Sequence, residues 1–169
     1  LSLGTGAVKI KKEDIGVFDP YYEDPDDIGI VHDGKNLVFT DIICFKERIN
    51  SFLDNEDTRH ANETQLVALF QTLLAGPAII WWSTEVPMII RRRYLASGID
   101  KIMAVMSDRF GADPAEATAK YTSLTLRLKD LASSEYALSQ YVTKKLRYAR
   151  QIGILPDDNQ NWRGVIIQV

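Results

Sequence analysis

Few residues in this chain have the types and spacing that chemistry requires. The two histidines, His32 and His60, each lie near carboxylates: Asp33 beside the first, Asp57 and Glu63 around the second. A metal site or an acid–base pair would use such a grouping. Neither histidine has the i, i+4 partner that a helical metal motif supplies, and both fall in segments read as loops. Exposed structural histidines are therefore expected. Cys44, between Ile43 and Phe45, has no neighbouring cationic cluster to activate its thiol and is read as a small buried hydrophobe. Gly4-Thr5-Gly6 lacks the lysine and the strand-to-helix setting of a phosphate loop. No serine occupies a nucleophile elbow. The reading is of a protein that is not an enzyme, with no cofactor, metal or small-molecule substrate.

Charge clusters are the next candidates. Arg91-Arg92-Arg93, followed by Tyr94, falls in a stretch (Met88 to Ala96) read as a loop or a short turn of helix. It is a candidate contact for an anion, RNA or the acidic arm. Lys144, Arg147 and Tyr148 are placed along an outer helix surface, an ordinary solvated face. The formal net charge of -3 argues against a chain built chiefly to coat nucleic acid. A single cysteine excludes an internal disulfide and a cysteine-based zinc knuckle.

The elements that carry these residues are mostly helical. Residues 1 to 36 show no helical period but a run of turn formers and acids, including Asp19-Pro20 and Glu23-Asp24-Pro25-Asp26-Asp27. Two readings remain open for this arm. Ile28 to His32 forms a hairpin that turns at Asp33-Gly34 and returns through Leu37-Val38-Phe39, or the arm lies extended on the helical body, pinned by Phe18, Tyr21 and Tyr22. From Thr40 the pattern turns helical, with Val38, Ile42, Phe45, Ile49 and Phe52 recurring at helical spacing. Asp54 to Ala61 is read as a break, and Asn62 with Gln65 as the capping box of the next helix. Leu66 to Leu74 then lead to Gly76-Pro77, a stop and a restart of helix.

Trp81 and Trp82 follow. Neighbours in a helix point about 100° apart. One ring is expected in the core and the other against a neighbouring element or a partner. Ile99, Ile102, Met103, Met106 and Phe110 form another stripe, and Gly111-Ala112 marks the best internal boundary. Asp113-Pro114 starts a helix whose apolar face is read as running from Ala117 through Leu128 to Leu131. A last pattern from Pro156 through Trp162 to Val169 stops mid-helix, and the chain begins without Met. It is read as a piece of a longer protein. The longest apolar stretch, Val67 to Trp82, is too short and interrupted to span a membrane. The expected fold is all-α, with about seven helices and an extended N-terminal arm.

Several of these stretches, in this order, resemble the Gag proteins of gypsy-class LTR retrotransposons, particularly the fungal branch. Gly76-Pro77-Ala78-Ile79-Ile80-Trp81-Trp82-Ser83-Thr84-Glu85 is similar to their G-x-A-x-x-W-[WY] signature. Ile15-Gly16-Val17-Phe18-Asp19-Pro20 with Tyr22-Glu23-Asp24-Pro25 resembles the acidic arm ahead of the Gag core. Val38 to Leu53 resembles the first capsid helix, and Met106-Ser107-Asp108-Arg109-Phe110 the end of the N-terminal capsid domain. Ala117 to Leu131 and Tyr141 to Gly153 resemble the opening helices of the C-terminal capsid domain.

The resemblance implies a retroviral-capsid-like fold: an acidic arm over residues 1–36, an N-terminal domain over 37–111, and a truncated C-terminal domain over 112–169. It implies a structural protein that self-assembles into the shell of a cytoplasmic virus-like particle, with itself as main partner and RNA enclosed. Trp81, Trp82, Phe18, Tyr21, Tyr22 and Phe110 are then candidate core or assembly anchors. A domesticated Gag acting as a peptide-binding adaptor is the alternative, with Phe18 to Tyr22 filling the peptide groove in cis.

Overall fold

The computed structural model describes residues 8–154. The opening Gly4-Thr5-Gly6 and the pattern from Pro156 to Val169 lie outside the described residues. The fold is mostly helical but not all-α, because the arm builds a three-stranded sheet. Two compact units are present. The first comprises the residues up to Asp24 together with Gly29–Phe110; the second comprises Pro25–Ile28 together with the residues from Gly111 onward.

The first unit begins with a single helical turn, α1 (Lys12–Ile15), then β1 (Val17–Phe18), β2 (Ile30–Asp33) and β3 (Asn36–Phe39). The sheet order is β1-β3-β2. β1 runs parallel to β3, with Phe18 opposite Phe39, and β2 pairs antiparallel with β3, with Asp33 opposite Asn36. The hairpin reading of the arm is thus the one seen. Gly34 takes φ +61 in the two-residue turn, a conformation that glycine adopts freely.

The arm is fastened along its length. Gln65 accepts from Ile10 N at 2.8 Å and donates to Val8 O at 3.2 Å. Arg48 donates to the carbonyl oxygens of Asp14 and Ile15. Asp19 N donates to Phe39 O, and Ala75 N to Phe18 O, both at 2.9 Å. Asp24 closes the base of the loop by accepting from Gly29 N and Thr40 Oγ1.

Helices follow in short steps: α2 (Ile42–Ser51), α3 (Glu56–Leu69), a 3-10 turn (Phe70–Leu73), α4 (Gly76–Ile80), a π turn (Trp81–Glu85), α5 (Met88–Ser97) and α6 (Ile99–Phe110). α2 buries Ile42, Phe45 and Ile49, one face at helical spacing, and Asp41 caps it by accepting from Ile43 N. Two expectations fail here. The break at Asp54 does not extend to Ala61, since Asn55 caps α3 through Asp57 N and the helix runs from Glu56. Asn62 and Gln65 lie within that helix and bond Phe52 O and the arm instead. Met88 to Ala96 is likewise a full helix, with Pro87 just ahead of its first turn and Gly98, at φ +93, ending it.

Both tryptophans are buried, Trp81 at 6% exposure and Trp82 at 1%. Ala78, Trp81 and Trp82 are i, i+3 and i+4, so adjacent rings fit within one apolar stripe about 100° wide. A continuous run of rings crosses the unit, from Phe39 to Phe45, Phe18, Phe110, Trp81, Trp82 and Phe70, with centroids 5.0 to 5.9 Å apart. Such pairs are each worth roughly 0.5–1.5 kcal/mol beyond their burial.

In the second unit, α7 (Pro114–Ser123), α8 (Leu128–Ser133) and α9 (Ala137–Gln151) follow. Asp113 caps α7 by accepting from Ala115 N. The expected continuous face from Ala117 to Leu131 is broken, because α7 stops at Ser123 and Leu128 stands 86% exposed. Lys145, buried on α9, donates to Tyr121 O at 2.7 Å and Leu124 O at 3.3 Å. Its ammonium thus satisfies carbonyls that the end of α7 leaves open, and burial pushes its pKa down.

Gly76 has φ +51, and a Cβ there would collide with the Asp19 carboxylate. Gly76→Ala should therefore lower stability by roughly 3 kcal/mol, strain plus collision. Gly34→Ala, with open space around it, should cost only about 1 kcal/mol. Urea unfolding followed by tryptophan fluorescence measures both.

Candidate functional site

α5 lies at the margin of its unit's core. None of its ten residues is buried. Ile90, Tyr94 and Leu95 are half-buried and pack against the core cluster. The opposite side presents Met88 at 60% and Ile89 at 70% exposure, with Arg92 and Arg93 exposed beside them. Residues 88, 89, 92 and 93 recur at helical spacing, so apolar and cationic groups share one outer face. The run Arg91-Arg92-Arg93 is therefore split by the helix: Arg91 is half-buried and the other two point outward. A shallow cavity of about 360 Å³ adjoins this helix, lined by Trp81, Pro87, Ile90, Tyr94 and Val105. Glu85 and Arg109, 3.6 Å apart, both border it.

The aromatic candidates separate by burial. Phe18, Trp81, Trp82 and Phe110 meet one another inside the unit and anchor its core. Tyr21 is 84% exposed. Tyr22 is half-buried, and its hydrogen bond with Asp33, reinforced by desolvation and surrounding acids, holds its hydroxyl pKa above the usual value. His32 is exposed on β2, and His60 is exposed on α3 rather than in a loop. Glu63, near His60, accepts from Ile99 N at the start of α6, a structural task. Cys44 is half-buried and packs against the core cluster. Among the described residues no group of three or more His, Cys, Asp or Glu could hold a metal ion. Nor is any helix among them long and apolar enough to cross a membrane.

A second constellation lies in the second unit and was not legible as such in the sequence. Lys144, Arg147 and Tyr148 do not line an outer surface together. Tyr148 is buried, and the Arg147 side chain is 13% exposed. Arg147 Nη1 donates to both the main-chain oxygen and Oδ1 of Asp27, each at 2.6 Å. The Tyr148 hydroxyl donates to Oδ2, and Lys120 Nζ lies 3.5 Å from that oxygen. Burial raises the Asp27 pKa, but the Tyr148 hydroxyl, the Arg147 guanidinium and the Lys120 ammonium together outweigh it. The carboxyl is held below its usual range. The sequence signal was the acidic run beside a basic helix; which acid meets which base depends on tertiary packing 120 residues apart.

No family model, curated protein or solved structure matches this chain.

Asp27→Asn isolates the charge, since asparagine also tolerates the left-handed backbone that Asp27 adopts. The carboxylate is part-exposed, so the variant should lose on the order of 1 kcal/mol at neutral pH. Because the folded pKa lies below the usual value of 3.8, this contribution is complete above that value. It disappears as pH falls through the folded pKa. Hydrogen exchange of α9 amides across pH should show the two proteins differing at neutral pH and converging in acid.

Proposed function

We propose that this chain is a structural subunit that associates with copies of itself, with the outer face of α5 as a contact surface. The carrying observation is a ten-residue helix without a buried residue, on which Met88 and Ile89 stand exposed beside Arg92 and Arg93. Contiguous apolar side chains of this kind mark interaction surfaces more than ordinary solvated helix does. The Gag resemblance supports the same reading and extends it. In that reading the units are the N-terminal capsid-like domain and the start of the C-terminal one. The particle is cytoplasmic and encloses RNA, and the protein catalyses nothing.

Magnitudes favour a multivalent shell over a tight pair. Burying the Met88 and Ile89 side chains contributes about 3 kcal/mol. Association costs at least about 4 kcal/mol in lost freedom of motion. One such contact is therefore weak by itself, and repetition across many copies makes it effective. The peptide-binding adaptor finds less support. β1 already lies between β3 and Leu74, with Phe18 fully buried, so an incoming peptide would have to displace a core aromatic.

Sedimentation velocity across protein concentration tests the proposal. The wild-type mass should rise with concentration. Met88→Ser with Ile89→Ser, or Arg92→Glu with Arg93→Glu, should move that rise to at least tenfold higher concentration with unchanged circular dichroism. A wild-type chain that stays monomeric throughout would contradict the proposal.

A further inference from the structure

Pro25–Ile28 packs with the second unit, although the residues on either side of it in sequence belong to the first. Among the described residues Asp27 is the non-glycine residue with positive φ, at +50. That conformation is uncommon outside glycine and, for an aspartate, mildly unfavourable. It lets one residue present its carbonyl and its carboxylate to the same guanidinium. Arg147 Nη1 grips both oxygens at 2.6 Å, and the Tyr148 hydroxyl takes the other carboxylate oxygen. Lys120 completes the set, steadied by Glu116 at 3.0 Å.

The donors all come from α7 and α9, and α7 and α9 pack on each other without the tetrapeptide between them: Lys145 of α9 bonds the carbonyls that end α7. The recognition elements are thus held by helices, while the recognised group is a short acidic turn that is remote in sequence. This is the arrangement of a preformed site with a tethered ligand.

We propose that Lys120, Arg147 and Tyr148 form a binding site for an acidic turn, filled in cis by Asp27 and able to accept the same segment of a second copy. Exchange of the segment replaces each cis contact by an equivalent trans contact, so it links two copies with little change in contact energy. Tethering sets the competition. The cis turn is joined to α7 and α9 through the chain of the first unit, and a tethered ligand acts at an effective concentration on the order of millimolar, so trans occupancy grows when the cis turn is missing or copies are crowded. The proposal is independent of the α5 face and stands even if that face takes part in nothing.

Complementation tests it on the full chain. Asp27→Ala leaves the site without its cis ligand, and Arg147→Met leaves the acidic turn without its site. An equimolar mixture of the two should form mixed pairs by sedimentation velocity, beyond the association either variant shows alone. Adding Asp27→Ala to the Arg147→Met chain should abolish those pairs. A mixture that behaves as the sum of its parts would overturn the proposal.

A wild-type measurement guards against variants that fail to fold. A synthetic peptide with the sequence of residues 22–30 should shift the Tyr148 amide resonance of the wild-type chain, half-saturating near millimolar peptide. The same peptide with alanine replacing Asp27 should have at least tenfold weaker effect. No shift at Tyr148, or equal shifts from both peptides, would also overturn it.

Discussion

Phe18 is the constraint on which the first unit depends. Its ring stacks on Phe45 of α2 at 5.4 Å and meets Phe110 of α6 edge-on at 5.5 Å. Its backbone is meanwhile shared between β3 and the chain ahead of Gly76. An aromatic side chain placed between two helices in this way contributes several kcal/mol, about what a large-to-small core substitution removes. Phe39 and Ile15, also buried, hold the sheet to the helices beside it. Gly76 is the corollary: the Asp19 carboxylate comes so near its backbone that only a hydrogen in place of a side chain leaves room.

The second unit is held by different physics. Among the described residues its hydrophobic cluster is small, with Ala149 at its centre and Tyr121 and Leu146 against it. Much of its definition comes from charged groups in polar settings, Lys145 on helix carbonyls and Arg147 on Asp27. Such contacts are directional, and losing one partner leaves the other exposed to the full cost of burial. That is why a four-residue acidic turn can matter to this unit, and why the same turn is exchangeable in principle. Apolar burial fixes the first unit; hydrogen-bond geometry fixes the second.

Much of the helical pattern was legible. Ile42, Phe45 and Ile49 announced α2, and Asp113-Pro114 announced α7, because amphipathic spacing and capping chemistry are local. The hairpin at Asp33-Gly34 was one of the two readings that the sequence left open for the arm. What failed were inferences from polarity. Residues 54–61 looked like a break, yet the break ends at Asn55, which caps the solvent-facing start of α3. Met88 to Ala96 carries Met88 and Ile89 on its outer face and Arg91 half-buried beside Ile90 and Tyr94, so its pattern is weak and its helix was missed. The same weakness is what makes α5 a candidate surface. Trp82 fills the core beside Phe70 and Trp81 reaches Phe110 of α6, and a stripe centred near Ala78 is wide enough to bury both. That Asp27 in particular meets Arg147 had no local signal, since an acidic run and a basic helix do not say which residues pair.

The central claim is that the arm belongs to the core of its unit while α5 is the face left for other copies. Amide hydrogen exchange at several protein concentrations tests both halves at once. The amides of Asp19 and Ala75, which donate to Phe39 O and Phe18 O, should exchange as slowly as those of α2 at every concentration. The amides of α5 should slow only as concentration rises. Fast exchange at Asp19 and Ala75, or α5 exchange that ignores concentration, would contradict the account.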